Sequence, residues 1–174
     1  MTNKRSKISL LSKPKKRSKV RNFGKAMLIL NLNLLTMYIG LLHTHSSVRY
    51  LVLIMLLIVI GKSLLGLVSK KPFEKIDNVF SLILLIVTHI QFLVGLILYF
   101  VSPRAGSERY FKFEHAFGML LAVILITVAR TTSKKMTDDS SKFKRLTYLN
   151  VLALVVILGT LLMGHLKIIG NTNM

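Results

Sequence analysis

Cysteine is absent from this chain of 174 residues. That single absence removes disulfides, zinc–thiolate centres, iron–sulfur clusters, thiol catalysis and covalent c-type haem attachment together. The five histidines are then the strongest soft-to-borderline ligands available, with methionine thioethers behind them. Acidic residues are scarce as well, six against 25 Lys and Arg. There is no paired carboxylate, no nucleophile beside a base and no glycine-rich phosphate loop, and so no case for an independent hydrolase. Charged residues make up 18% of the chain and apolar residues 52%, whereas soluble domains carry about a quarter charged. The composition is that of an integral membrane protein with one domain.

A net charge of +19 would suggest a nucleic-acid partner in a soluble protein, but the distribution argues against one. The positive residues sit in an N-terminal tail and in alternate loops, which is a topology signal because short cytoplasmic loops collect Lys and Arg. Residues 1–25 hold ten basic residues and no acidic one, a composition that predicts a disordered tail. It serves either to hold the N-terminus in the cytoplasm or to tether the chain to anionic lipid headgroups, unless the natural start is Met37 and the upstream part is an extension. Residues 26–42 are apolar but short and interrupted by Asn31 and Asn33, which predicts a peripheral helix or a fifth span. His43-Thr44-His45-Ser46-Ser47 reads as a polar break where Ser46 or Ser47 caps the next helix.

Four apolar runs of about twenty residues follow, each long enough to cross a bilayer as a helix. They cover 48–68, 79–101, 113–128 and 146–166, so residues 43–170 are expected to form an all-α, four-span transmembrane bundle. In the second run Ser81, Thr88, Gly95 and Ser102 recur every seven residues and make one seam for close helix packing. In the third, His115, Ala122 and Ala129 share a face with Gly118. Asn150 in the fourth is placed near an end, where water reaches it. With the tail and the loops 69–78 and 130–145 in the cytoplasm, the localisation is a multi-pass inner-membrane protein with an extracytoplasmic C-terminus. If the tail too lies inside, residues 26–42 must cross the membrane, giving five spans; a start at Met37 gives four.

His89 lies near the middle of the second run, and an ionisable side chain at that depth is a functional-site hypothesis by default. The alternative is a neutral imidazole bonded to a carbonyl or hydroxyl of a neighbouring helix. The topology brings His43, His45, His115 and His165 toward the extracytoplasmic end, with His89 deeper. Haem b suits these residue types, since its iron takes two axial imidazoles from facing helices and apolar walls bury the porphyrin. Small residues beside the ligands would leave room for the macrocycle, and Arg49, Arg104 or Arg109 would pair with its propionates. Two other occupants are open: a copper ion on His43, His45 and His115 with a methionine, or a quinone held by His89 and Gln91.

From Met37 onward the chain resembles a family of small four-span membrane proteins of Bacteroidota commonly labelled "cytochrome b". The resemblance is carried by His45-Ser46 with Arg49-Tyr50, by Lys71-Pro72-Phe73, by Thr88-His89-Ile90-Gln91 through Gly95 to Ser102-Pro103, and by Glu114-His115. His43 and His165 depart from the family pattern, and Tyr50 stands where tryptophan is usual. The resemblance implies His45, His89 and His115 as the haem or metal ligands. Electron transfer between quinone or a periplasmic donor and an acceptor is the first functional expectation, with His89 and His115 as the axial pair and His45 as the alternate. A non-catalytic membrane subunit with structural histidines is the second, and copper or proton handling at the outer histidines the third. The redox expectation depends on imidazoles from separate spans entering a common cavity; His89 turned toward lipid, or too far from both His45 and His115 to share one porphyrin, would end it and leave a helix bundle of unknown purpose.

Overall fold

The computed structural model describes residues 15–102 and 109–170, with side chains over 20–102 and 109–164. Arg104, Glu108 and the first fourteen residues lie outside that range, as do the side chains of His165 and Lys167. Four helices account for the described chain: α1 (Lys15–Val68), α2 (Lys75–Val101), α3 (Ala116–Ser133) and α4 (Asp139–Gly170). A π-helical stretch, Tyr110–His115, leads directly into α3. All four helices are long and apolar enough to cross a membrane, and the protein is a multi-pass, all-α membrane protein.

The chain separates into two compact units, 1–40 and 41–174. In the first, the described side chains are exposed except Tyr38, which is half-buried. Two sequence expectations are corrected along α1. The helix begins at Lys15, inside the stretch predicted to be disordered, because lysine and arginine are good helix formers and no proline interrupts them. Nor does it break at His43–Ser47, so residues 26–42 continue the first helix and form no separate fifth one. The physical reason is that a helix satisfies its own backbone, and a polar side chain in it needs no gap. His43, Thr44 and Ser47 stay exposed, while His45 and Ser46 turn inward.

Within the second unit each helix contributes one inward stripe at alternating spacings of three and four residues, the signature of bundle packing. On α1 the stripe runs through His45, Arg49, Val52, Leu56, Val59, Ser63 and Gly66. On α2 it includes Ser81, Leu84, Thr88, Gln91, Gly95 and Leu98, so the small-residue seam faces the interior. The stripes meet in a core built from Met55, Leu56, Val59, Leu84, Ala122, Ile126, Ala153 and Ile157. Opposite faces carry exposed leucine, isoleucine and phenylalanine, among them Leu57, Ile83, Ile90, Phe117 and Leu162, a surface suited to lipid and not to water. Lipid is as apolar as leucine, so packing and hydrogen bonds hold the helices together. Thr147 donates to Ser63 Oγ at 2.9 Å in the buried interior, and the Phe143 ring fills the notch at Gly66.

Asn150 is corrected as well. It is 1% exposed and its Oδ1 has no partner among the described residues. Because α4 starts at Asp139, seven residues before the apolar run begins, Asn150 lies three turns inside the helix. Lys62 reaches toward the first turn of α2, where its Nζ pairs with Asp77 at 3.2 Å.

Candidate functional site: a polar cluster at one end of the bundle

At the end of the bundle that carries the connection between α2 and the π-helical stretch, α1 contributes His45 and α3's lead-in contributes His115. Their ring centroids lie 6.3 Å apart, with the planes at 70°. Gln91 of α2 donates its side-chain N–H to the His45 carbonyl at 2.9 Å and sits 3.4 Å from His45 Nε2. The His45 ring lies against Gly95, where a Cβ would come within 2.9 Å of Cε1; the glycine lets ring and helix approach. Three buried polar atoms of this cluster have no partner among the described residues: His45 Nδ1, His115 Nδ1 and Gln91 Oε1. Such atoms cost about 1–3 kcal/mol each when left unsatisfied, and native proteins retain few of them without a use.

The π-helical stretch holds one wall of the cluster. Its wider turns rotate Glu114 and His115 relative to a plain α-helix, and such insertions recur at functional sites. Tyr110 is buried and donates to the Thr160 carbonyl at 2.7 Å, fixing this stretch to α4. The Tyr110 and Phe111 rings stand 5.8 and 6.0 Å from His115. Arg109 approaches Glu114 at 3.6 Å but is itself 85% exposed, so the pair adds little. Arg49, one turn beyond His45, is half-buried and has no carboxylate partner among the described residues; its nearest bond is to the Tyr50 hydroxyl at 3.4 Å.

His89 does not join this cluster. It occupies the exposed outer face of α2, and its Nδ1 bonds the Leu85 carbonyl of its own helix at 2.8 Å. Its sequence position, one residue past the Thr88 seam, rotates it about 100° away from the bundle interior. The expected His89–His115 axial pair is therefore not assembled within the chain, and neither is a His45–His89–His115 metal trio; the redox expectation built on His89 fails, and His45 with His115 is the pair of imidazoles that the bundle does bring together. A quinone held jointly by His89 and Gln91 fails for the same reason, since the two side chains leave opposite sides of α2. His43 is exposed, which removes it from the copper set. No group of three or more His, Asp or Glu side chains able to hold a metal ion occurs among the described residues.

The small residues expected to leave room for a macrocycle are covered by protein. His45 lies over Gly95, Thr160 over Gly118, and Tyr110 over Gly164. The signals that sequence reasoning missed were Gln91 as the residue that clamps His45, and Tyr110 as the anchor of the third span. Gln91 was detectable, because it falls on the same stripe as Thr88 and Gly95.

No family model matches the chain, and neither a curated protein nor a solved structure is similar to it.

Proposed function

We propose that this protein holds a b-type haem between His45 and His115 and passes single electrons near one face of the membrane. The observation that carries the reading is the 6.3 Å separation of the two ring centroids. Imidazoles from two helices that face each other this closely could both serve one iron as ligands, with His45 and His115 as the residues that would hold it. The number of donors decides between occupants. A bare copper or zinc ion needs more protein ligands than two imidazoles, whereas an iron porphyrin brings four nitrogens of its own and asks the protein for two. When bound, the group supplies a one-electron couple whose potential depends on its axial ligands and its burial.

The chain's own residues do the rest. Gln91 holds His45 from across the helix interface, Tyr110 pins the stretch that carries His115, and Arg49 offers a guanidinium to carboxylates at the bundle end. The positive-inside rule supports placing the 69–74 and 134–138 connections in the cytoplasm, and hence the imidazole pair toward the extracytoplasmic side of an inner membrane. A quinone or a periplasmic redox protein is the partner that fits this position.

A second reading, a cofactor-free membrane subunit with structural histidines, is favoured by the packing of Thr160 and Tyr110 into the Gly118 and Gly164 notches. One experiment separates the two. Full-length protein purified from haem-replete cells should show a Soret band that shifts on dithionite reduction. His45→Ala and His115→Ala should each abolish it, and His89→Ala should retain it. Colourless wild-type protein, or a band lost only in His89→Ala, overturns the haem reading.

A further inference from the structure

The opposite end of the bundle holds a buried charge without a counter-charge. Arg130, in the last turn of α3, is 7% exposed. Its Nη1 makes all of its hydrogen bonds to the protein: 2.9 Å to the Asn78 carbonyl, 3.0 Å to Asn78 Oδ1 and 2.6 Å to Ser81 Oγ. These are neutral acceptors, and no carboxylate among the described residues pairs with it. A buried guanidinium without an anion is costly, because neutral dipoles recover only part of its lost hydration.

The carboxylates of this end are all committed elsewhere. Glu74 accepts a backbone N–H in the capping box that starts α2. Asp77 pairs with Lys62, Asp139 with Lys142 at 2.8 Å, and Asp138 accepts from the Ser141 backbone at 2.8 Å. Arg130 lines a cleft of about 290 Å³ together with Lys75, Asn78, Ser81, Ser133 and Lys134. Lys75 and Lys134 are exposed at its rim. The cleft, set where α2 begins and α3 ends, is a cation-rich concavity in which Lys75, Arg130, Lys134 and Lys142 outnumber its one carboxylate, Glu74, and Phe73 forms part of the wall.

We propose that this cleft binds a phosphate group, with Arg130 at its base and Lys75 and Lys134 at its mouth. Guanidinium and ammonium donors beside hydroxyls are the chemistry that recognises phosphate oxygens. A basic pocket between membrane-spanning helices is a headgroup site for acidic phospholipid, and free phosphate carries the same oxyanion. The site is separate from the imidazole pair and does not depend on it.

The test uses the full chain in neutral detergent, titrated with phosphatidylglycerol, phosphatidylcholine or inorganic phosphate. Native mass spectrometry reads lipid retention, and the melting temperature reads all three. Phosphatidylglycerol should be retained over phosphatidylcholine, and K75Q/K134Q should weaken retention by roughly five-fold for each lysine removed. Both lysines are exposed, so that variant keeps the fold whatever becomes of R130Q, which should lose retention further. Stabilisation by inorganic phosphate that K75Q/K134Q abolishes, without lipid preference, assigns the site to free phosphate. Equal retention by wild type and K75Q/K134Q, or an equal loss in K112Q at the other end of the bundle, overturns the proposal.

Discussion

Gln91 of α2 donates to the backbone carbonyl of His45 on α1 at 2.9 Å and stands 3.4 Å from that residue's Nε2. One side chain thereby ties two helices together and orients the imidazole that faces His115. Removing it should be felt in stability before any cofactor is considered. Gln91→Ala is expected to cost about 1 kcal/mol, the net value of a typical hydrogen bond. Gln91→Glu should cost more, since it sets a carboxylate against a carbonyl. Thermal unfolding of the purified variants in detergent measures both, and equal melting temperatures for all three proteins would refute the clamp.

Two glycines of α1 make opposite predictions. A Cβ at Gly66 would overlap the Phe143 ring, while one at Gly61 would meet nothing within 4 Å. Gly66→Ala should therefore destabilise by about 1–3 kcal/mol, as overpacking does. Gly61→Ala should be neutral or stabilise by up to about 1 kcal/mol through helix propensity. Melting temperatures of the pair, compared side by side, check the sign of each.

Lys70 closes α1 in the left-handed region, with φ 51°. The Lys71 N–H bonds the Gly66 carbonyl at 3.1 Å, which makes a Schellman cap with a lysine where glycine is usual. Lys70→Gly is expected to stabilise by a few tenths to about 1 kcal/mol, because relief of the left-handed strain exceeds the added entropy of the unfolded chain. A lower melting temperature for Lys70→Gly would contradict this.

Asp138 caps α4 by accepting from the Ser141 backbone at 2.8 Å. Hydrogen bonds from Ser141 hold its carboxyl below the ordinary carboxylate value. A carboxyl whose folded pKa is depressed contributes stability that is present above its unfolded pKa and lost as pH falls through the folded one. Asp138→Ala should lower the melting temperature at neutral pH, and its difference from wild type should shrink in acid. Asp138→Asn, which keeps a capping oxygen, should lie near wild type at neutral pH and lack the acid dependence. Melts across pH 3–7 decide it, an acid-insensitive gap between wild type and Asp138→Ala being the contrary result.

His89 offers the complementary case. As an outward imidazole bonded to its own helix, it should be replaceable by leucine with little loss of stability, since leucine is at home against lipid. A large destabilisation in His89→Leu, read by the same melts, would mean that its face is covered by another protein.

Membrane character, the helical architecture and most of the inward stripes follow from the chain alone. Twenty-residue apolar runs have few alternatives in a bilayer, and a seven-residue recurrence such as Ser81, Thr88, Gly95 and Ser102 must turn to one side of a helix. The same arithmetic sets His89 one position off the seam, while its depth in the apolar run is what marks it as a candidate ligand. The tertiary structure decided what helical spacing cannot express. The continuity of α1 through His43–Ser47 depends on the exact balance of backbone bonding over polar side chains, and the π-helical turns before α3 rotate His115 by an amount no periodicity encodes. Which imidazole meets which, and which cation is left without a carboxylate, are relations between helices. They depend on how four stripes interdigitate, and only packing in three dimensions determines that.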